Sequence, residues 1–455
     1  MVYTLASPPS SSMQEAPASD HLSALSLSPH EHAFYGSEAR IVAPDSYEEL
    51  ETIVRDAERE RRHMIPAGLG AHAYLGNPPP GNVLVVSLRK LNRILRYEPG
   101  DFTVGVETGL TLSELRATLE ANGQEIPLDL PSAARGTVGG LVAAAPSGLR
   151  RGRHGPVRAY VIGAHALRGG ATRYKTGGMV VKNVAGYEVM KFLTGSLGTA
   201  GPIVEVNFKL RPLPERRAAH VAVFQDPDAA WRFADNLRSR GREPAAIWVL
   251  NDEARRQAPR MLESLNGDGV AVFWLFEGQS GRVAWQESQA GSILDEQAPS
   301  RHSAVSGSEL DLLIDFLADF DSPGAGPRVD LAIAKLSALP NQIRHVQDEA
   351  QRVVLEAELA PATACDVLSG LVTLRWSPRR DATEANGLDR PIADLGRTLL
   401  AQQGTGTLLY LPPQVRQSHN YLLTPDANAS LARRLLKVFD PNSVFCPEKL
   451  LGPGP

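Results

Sequence analysis

Residues 131–187 contain no Asp or Glu, although nine Lys or Arg residues fall in this window. The same window holds twelve glycines. Glycine lets the backbone take positive φ angles or approach a ligand closely, and a stretch without acidic side chains favours an anionic ligand. The window therefore predicts a site for a phosphate-bearing cofactor, with room for an anionic substrate beside it.

The bulk properties restrict the class of protein. A chain of 455 residues is too long for one typical hydrophobic core, so two or three domains are expected. The formal net charge is -4, so the basic window is local and a dedicated nucleic-acid binder is disfavoured. Cys365 and Cys446 are too far apart for a C-x-x-C pair, so neither a zinc site nor an iron-sulfur cluster is predicted. No transmembrane segment or signal peptide is predicted.

Local patterns predict where helices and strands begin. Capping boxes at Ser46 and Thr111 predict two helix starts, and the alternation over residues 204–210 predicts a half-buried strand. Residues 1–33 are expected to form a flexible tail. The Ser/Gln/Gly-rich residues 279–308 are predicted to be a loop.

Two elements suggest places for an anionic group. The loop at residues 68–72 follows a short strand, as an anion-binding turn should, although a plain tight turn explains it equally well. Further along, Thr137 can cap a helix that begins at Val138, whose first N–H groups would hold a polar cofactor group. Close packing of the helix at Gly139 and Gly140 is the alternative.

The third element spans residues 176–203. Gly195, Gly198 and Gly201 would let a strand-turn backbone press against a flat ring. Lys182 and Asn183 are candidate polar contacts, with a surface role as the alternative.

In this order and spacing, these three elements resemble the FAD-binding domain of the vanillyl-alcohol oxidase or PCMH superfamily. Within it, the resemblance is closest to the FAD-binding subunit of glycolate oxidase, the smaller flavin subunit of a bacterial three-subunit glycolate dehydrogenase. It is carried by G-T-V-G-G at 136–140, K-N-V-A-G-Y at 182–187, G-S-L-G-T-A-G-P-I at 195–203 and F-D-P-N-S-V-F-C-P at 439–447. The good match covers about residues 39–214 and the C-terminal end.

The resemblance implies an α+β fold with a PCMH-type, two-lobed FAD-binding domain and a C-terminal α+β cap. The implied division is a disordered tail at 1–33, an FAD-binding domain at 34–214, a cap or substrate domain at 215–420, and a segment at 421–455 that returns to the FAD-binding domain.

The resemblance also implies which residues contact FAD. The residues implied to contact the pyrophosphate are Ala67, Gly68, Leu69, Gly70 and Ala71. Those implied to lie along the ribityl chain and the ring are Gly136, Thr137, Gly139 and Gly140. Further implied contacts are Pro131, Lys182, Asn183, Gly198 and Ile203. Relatives with histidyl-linked FAD carry the linking histidine where this chain has Ala71. Since His72 comes one residue later, non-covalent FAD is expected, with a bond through His72 as the alternative.

Oxidation of a 2-hydroxy acid needs a cation for the carboxylate and a base near the hydroxyl. Catalytic subunits of the superfamily carry a histidine-rich motif in the C-terminal half, whereas the four histidines after residue 215 are isolated here. Arg375 is the candidate carboxylate contact, with a solvent-facing sheet residue as the alternative. The run Arg150, Arg151 and Arg153 is expected on a solvated loop, or facing a partner or the substrate entrance. No metal site is predicted.

The implied function is that of an FAD-dependent oxidoreductase subunit of a glycolate or other 2-hydroxy acid dehydrogenase complex, which passes electrons through FAD to partner subunits. The implied partners are a larger homologous flavin subunit and an iron-sulfur subunit, with no nucleic acid. A non-catalytic flavin-carrying or structural subunit is the alternative, and a MurB-like NADPH-dependent reductase is disfavoured by the C-terminal F-D-P run. The expected location is cytoplasmic, or peripheral on the inner membrane through partners.

Overall fold

The fold is described from a computed structural model of the chain. It describes residues 27–81, 83–129, 136–180, 186–239, 241–324, 328–378, 387–424 and 429–452. Helices and strands are mixed along the whole of these ranges, so the predicted α+β class is confirmed.

The N-terminal region, residues 27–212, contains six helices and ten strands among its described residues. The helices are α1 (Pro29–Tyr35), α2 (Tyr47–Arg59), α3 (Leu112–Glu120), α4 (Val138–Ala144), α5 (Arg151–His154) and α6 (Val189–Leu193). The strands are β1 (Arg40–Val42), β2 (Met64–Ala67), β3 (Leu84–Ser87), β4 (Ile94–Glu98), β5 (Thr103–Glu107), β6 (Gln124–Glu125), β7 (Val161–Arg168), β8 (Thr172–Gly177), β9 (Ile203–Lys209) and β10 (Arg211–Pro212).

Hydroxyl caps set the starts of several helices. Thr111 and Glu114 form the predicted capping box at α3, and the Thr137 hydroxyl accepts a hydrogen bond from the Gly140 N–H at the start of α4. The helix starts predicted at Ser46, Thr111 and Thr137 are confirmed. At Ser46 the hydroxyl accepts from the Glu49 N–H, but the Glu49 carboxylate accepts from the Asp45 N–H and does not complete the predicted capping box. In each case the capping side chain satisfies a backbone N–H that the helix leaves free.

The N-terminal region folds into two lobes. In the first, the parallel sheet β1-β3-β2 packs against α2 through Leu50 and Val54. In the second, the antiparallel sheet β4-β5-β9-β7-β8 packs against α3, α4 and α6. The predicted alternation of β9 is confirmed, since its side chains are alternately buried and partly exposed from Val204 onward.

The central region, residues 216–424, is built on one sheet. Its strands are β11 (Arg216–Phe224), β12 (Ala246–Leu250), β13 (Val270–Gly278), β14 (Arg301–Val305), β15 (Ala332–Ser337), β16 (Leu359–Asp366), β17 (Leu371–Pro378) and β18 (Thr405–Tyr410). Its helices are α7 (Pro227–Ser239), α8 (Asp252–Arg256), α9 (Ser280–Gln297), α10 (Gly307–Asp319), α11 (Ile343–Glu356), α12 (Ile392–Ala401) and α13 (Pro413–Arg416). The eight strands run antiparallel in the order β14-β11-β13-β12-β16-β17-β15-β18.

The prediction of a loop over residues 279–308 is wrong. This stretch forms α9 and β14, and α9 buries Val283, Ala290 and Ile293 at helical spacing. The apolar residues are spaced widely among Ser, Gln and Gly, so the helical pattern is weak in the sequence. In the fold, packing of the apolar helix face against the sheet outweighs the low helix propensity of Ser and Gly.

The two ends of the described chain both join the N-terminal region. Helix α1 begins inside the predicted tail, with a capping box formed by Ser28 and Glu31, so the expectation of disorder up to residue 33 is corrected. At the other end, helices α14 (Ala429–Phe439) and α15 (Glu448–Leu451) form a tail segment, residues 429–452. Leu436 and Leu451 enter the core of the second lobe, and Phe445 enters that of the first.

Candidate functional site

A cleft lies between the two lobes, where the loop after β2 faces the start of α4. Its two adjoining parts have volumes of about 510 and 370 Å³. Both are lined by Pro66, Ala67, Gly68, Thr137, Gly140 and Ala143; the first adds Tyr35, Ile65, Leu69, Gly70, Ala71, His72, Ala73, Ala144, Leu197 and Lys449, and the second adds Leu88, Thr108, Gly139, Gly198, Gly201 and Ile203. The fold therefore brings the three glycine-bearing elements to one place.

The loop Gly68–His72 presents a run of free backbone donors. Its five N–H groups have no hydrogen-bond acceptor among the described residues. Gly70 has a φ of +75°, a conformation that glycine adopts without strain. The carboxylate of Glu31 lies beside it, where it accepts hydrogen bonds from the N–H and hydroxyl of Ser28 at 2.9 and 2.8 Å. Successive N–H groups in a turn of this kind suit an anion.

Gly68 has to be a glycine because the two sides of the cleft meet there. A Cβ at this position would lie 2.1 Å from the Thr137 Oγ1. The Ser87 hydroxyl fixes the loop from below by donating to the Gly68 carbonyl at 3.0 Å. The absence of a side chain at Gly68 therefore lets the loop approach the N-cap of α4 this closely.

The two glycines of α4 have different surroundings. A Cβ on Gly139 would lie 2.9 Å from the Thr108 Cβ, and the Gly139 N–H donates to the Thr108 carbonyl at 2.8 Å. A Cβ on Gly140 would meet nothing closer than the Thr137 Oγ1 at 3.4 Å. Close packing thus explains Gly139, whereas Gly140 leaves space on the cleft side.

The far wall of the cleft is held by Thr108, whose hydroxyl donates to the Ile203 carbonyl at 2.6 Å. Gly198 lies against Pro66. Of the other predicted contacts, Gly136 is buried directly before Thr137, the N-cap of α4, and its carbonyl accepts a hydrogen bond from the Leu112 N–H at 3.0 Å. The predicted contacts Pro131, Lys182 and Asn183 lie outside the described residues.

His72 lines the cleft and was weighed from sequence only as a linking residue. Its Nε2 is buried without a partner among the described residues. Burial lowers the pKa of His72 to about 4, so the ring is neutral at physiological pH. The sequence analysis did not identify Thr108 or Lys449. For Lys449 a signal was available, because this residue lies two positions after the F-D-P-N-S-V-F-C-P run at 439–447.

Arg375 lies on the face of the central sheet that meets the N-terminal region. On β17 it stands opposite Ile333, and Ile333 packs in one cluster with Tyr74 and Leu197 of the N-terminal region. Its Nη2 donates to the Ser322 carbonyl at 3.2 Å, and its guanidinium stacks 4.9 Å from the Phe320 ring centre. The Nε is buried without a partner in the described part of the chain. Burial and the charge of Arg328 lower the pKa of Arg375 to about 10, so it remains a cation at neutral pH.

Arg150 contradicts both expectations for the arginine run. Only 4% of the Arg150 surface is exposed to solvent. Its guanidinium forms ion pairs with Asp129 at 2.7 Å, Glu277 at 2.9 Å and Glu125 at 3.1 Å. Glu277 lies on β13, so the group joins the N-terminal and central regions. A buried cation with three carboxylates is a structural centre and leaves no donor for a ligand. Arg153 is partly exposed beside Glu243.

Within the described ranges, no group of three or more His, Cys, Asp or Glu side chains is arranged to hold a metal ion. None of the helices there is long and apolar enough to cross a membrane.

Parts of the chain are similar to known proteins. Residues 39–177 match the family described as "FAD binding domain". The chain is 29% identical over 211 residues to the glycolate oxidase subunit GlcD of Bacillus subtilis, which covers 46% of this chain and 45% of that protein. It is 29% identical over 238 residues to the glycolate oxidase subunit GlcE of Escherichia coli, covering 49% and 65%. A D-lactate dehydrogenase of Anaerostipes hadrus is 32% identical over 277 residues, covering 58% and 57%.

These matches span between about half and two thirds of each relative's length. Among solved structures, p-cresol methylhydroxylase with substrate bound superposes with a TM-score of 0.69 at 15% identity, covering 91% of this chain and 89% of that one. The 4-ethylphenol oxidase of Gulosibacter chungangensis gives 0.65 at 16% identity, covering 90% and 89%. The predicted PCMH-type fold, the FAD cofactor and the resemblance to glycolate oxidase subunits are confirmed.

Proposed function

Because residues 39–177 form an FAD binding domain, we propose that the chain is an FAD-dependent oxidoreductase subunit that acts on the CH–OH group of a small 2-hydroxy acid such as glycolate. The named activities of the similar proteins support this substrate class, since they are glycolate oxidase subunits and a D-lactate dehydrogenase. Bound FAD supplies the electron acceptor for the oxidation.

The placement of Arg375 carries the proposal. A 2-hydroxy acid brings a carboxylate, and a guanidinium with an unused donor matches it. Arg375 has such a donor in its Nε, on the sheet face that packs beside Leu197, which itself lines the cleft. In this role Arg375 orients the substrate and the loop Gly68–Ala71 holds the cofactor diphosphate.

A second candidate function is a flavin-carrying subunit without chemistry of its own, and the surroundings of Arg375 favour it on one point. Oxidation also needs a base, and burial raises the pKa of the nearby Tyr74 and Tyr410 phenols, so both stay protonated at neutral pH and cannot accept the hydroxyl proton. The Tyr410 hydroxyl is moreover engaged with the backbone of Arg328, accepting from its N–H and donating to its carbonyl at 2.6 and 2.7 Å.

The partners and the mode of FAD attachment belong to the same proposal. A larger homologous flavin subunit and an iron-sulfur subunit would take the electrons, and the similar GlcD and GlcE chains, each named as a subunit, support an assembly. FAD would be held without a covalent bond, in a complex that lies in the cytoplasm or on the inner membrane through its partners. Acid precipitation tests the attachment, because dissociable flavin stays in the supernatant whereas flavin bound to His72 precipitates with the protein.

The activity is tested on the purified, FAD-loaded chain under anaerobic conditions. Addition of glycolate or D-lactate is expected to bleach the flavin absorption band. A yellow protein that does not respond would overturn independent catalysis and favour the flavin-carrying subunit. A colourless protein that takes up no added FAD would contradict both candidates.

A further inference from the structure

Two neighbouring buried cations, of which Lys449 lines the cleft, have no carboxylate partner among the described residues. Lys449 of α15 is 5% exposed and Arg416 of α13 is 3% exposed. The Lys449 ammonium donates to the Leu75 carbonyl at 2.6 Å. The Arg416 guanidinium donates to the Gly76 carbonyl at 3.2 and 2.8 Å and to the Leu408 carbonyl at 2.8 Å. Both cations therefore rest on neutral carbonyl groups.

The position of Lys449 is fixed by contacts between the tail segment and the chain just after the loop. The Asn77 N–H donates to the Lys449 carbonyl at 2.7 Å, and the Asn77 side chain donates to the Glu448 carbonyl at 3.0 Å. A Cβ on Gly76 would lie 2.6 Å from the Lys449 carbonyl oxygen, so the two segments are in direct contact. The ammonium is thus held beside the cleft by the backbone.

The ammonium has donors to spare. A lysine carries three N–H donors, and among the described residues only the Leu75 carbonyl is within hydrogen-bonding distance of this one. Burial of an unpaired charge is costly, and burial lowers the pKa of Lys449 to about 8. Lys449 lines the same part of the cleft as Gly68, Gly70 and Ala71. An anion in that part of the cleft would offset the cost of the buried charge.

We propose that Lys449, with Arg416 behind it, is the cationic partner of the diphosphate group of FAD, so that the tail segment completes the cofactor site. The inference rests on the FAD assignment and adds to it a residue far outside the matched residues 39–177. It makes the site selective for flavin nucleotides over riboflavin, because only the nucleotides carry phosphate. The loop supplies neutral N–H donors and the tail supplies the charge.

The test compares FAD and riboflavin binding to the full-length apoprotein by calorimetry or equilibrium dialysis. Lys449→Met is expected to weaken FAD binding about 10- to 100-fold, the size of a charge-assisted hydrogen bond, and to leave riboflavin binding unchanged. Lys449→Arg, which keeps the charge, should retain most of the FAD affinity. The matched control is Lys437→Met, which removes an exposed lysine of the same segment and should alter neither ligand.

Several outcomes would overturn the inference. Unchanged FAD affinity in Lys449→Met would reduce the ammonium to a contact that only ties the tail segment to Leu75. An equal loss of FAD and riboflavin would show a general collapse of the cleft. If the wild-type apoprotein bound no FAD, the cofactor assignment would fail as well, so the two failures are distinguishable.

A pH series on the wild-type protein keeps the test open if Lys449→Met does not fold. FAD affinity should fall as pH rises from 7 to 9 in the wild type and stay flat in Lys449→Arg, because a guanidinium keeps its proton. The charged and titratable groups nearest the ammonium are Tyr35, Arg416 and Cys446, with Glu31 acting on Tyr35, Glu448 on Cys446, and His72 across the cleft. Burial lowers the pKa of Arg416 to about 10 and raises that of Cys446 to about 12, both above this window. A parallel fall in Lys449→Arg would contradict the inference.

Discussion

Arg150 and Arg375 are both withdrawn from solvent, but their surroundings differ. Every N–H of the Arg150 guanidinium is directed at Asp129, Glu125 or Glu277, at 2.7 to 3.1 Å. Arg375 has one carbonyl acceptor, at Ser322, and a buried Nε without a partner among the described residues. One cation is saturated by the protein and the other is left incomplete.

The difference separates a structural charge from one available to a ligand. A saturated buried cation has no donor left for an incoming anion, and removing it would leave several carboxylates uncompensated. An incomplete cation costs the free protein stability, and an anionic ligand offsets that cost on binding. Lys449 is similar to Arg375 in this respect, since neither side chain forms a direct ion pair within the described chain, although the charges of Asp319 and Asp321 act on Arg375.

The largest expected effect is on stability, from Arg150→Met. Loss of the guanidinium leaves the carboxylates of Glu125, Asp129 and Glu277 buried together, which should lower the free energy of unfolding by about 3–5 kcal/mol. Urea unfolding followed by circular dichroism measures it. Arg153→Met removes a partly exposed partner of Glu243 and should change stability by less than about 1 kcal/mol. If Arg150→Met and Arg153→Met lowered the free energy of unfolding equally, Arg150 would not be a structural charge in the sense proposed here.

The buried ion-pair group of Arg150 with Glu125, Asp129 and Glu277 should also affect how the stability of the protein depends on pH. Burial alone would raise the pKa of Glu277, but the hydrogen bond with His154 and the charges of Arg150 and Arg217 lower it to about 2. A carboxyl with a lowered folded-state pKa contributes stability above its unfolded value, and this contribution is lost as pH falls through the folded value.

The corresponding variant is Glu277→Gln. At pH 7 it should be less stable than the wild type by about 2–3 kcal/mol, and the gap should narrow as pH falls from 4.5 to 2. Urea midpoints at several pH values measure the gap. Glu243→Gln, at an exposed ion pair, provides the control with little gap at any pH. A gap for Glu277→Gln that stayed constant with pH would contradict the linkage.

Local signals in the sequence were enough to predict several of the helices and strands that form the cleft. Caps at Thr111 and Thr137 and the alternation of β9 depend on near neighbours, so they could be read from one stretch at a time. The glycine loop could be placed for the same reason. A missing Cβ at Gly68 matters only because Thr137 faces it across the cleft, and sequence gives no distance between them.

Charges were harder to interpret, because the partner of a buried cation lies far along the chain. Arg150 finds Glu277 from another region, and Lys449 reaches Leu75 from the opposite end of the protein. The acid-free window predicted an anion site, with Arg150, Arg151 and Arg153 expected on a solvated loop or facing a partner or the substrate entrance. Folding saturates Arg150 with carboxylates, and the two cations proposed here for ligand binding, Arg375 and Lys449, both lie outside the window. Counting charges along the sequence therefore does not show which cation is left without a carboxylate.

The smallest expected change in stability comes from Arg375→Met, which tests the other side of the comparison. Methionine keeps the apolar contact with Phe320 and removes an incompletely paired charge, so the free energy of unfolding should stay within about 1 kcal/mol of the wild type or rise. Bleaching of the bound flavin by glycolate or D-lactate should nevertheless slow at least about 10-fold, since a carboxylate loses its charged partner. Stopped-flow absorbance measures this rate, and Arg375→Lys should recover part of it. If Arg375→Met instead unfolded as readily as Arg150→Met and the surviving folded fraction bleached at the wild-type rate, Arg375 would be a structural charge as well.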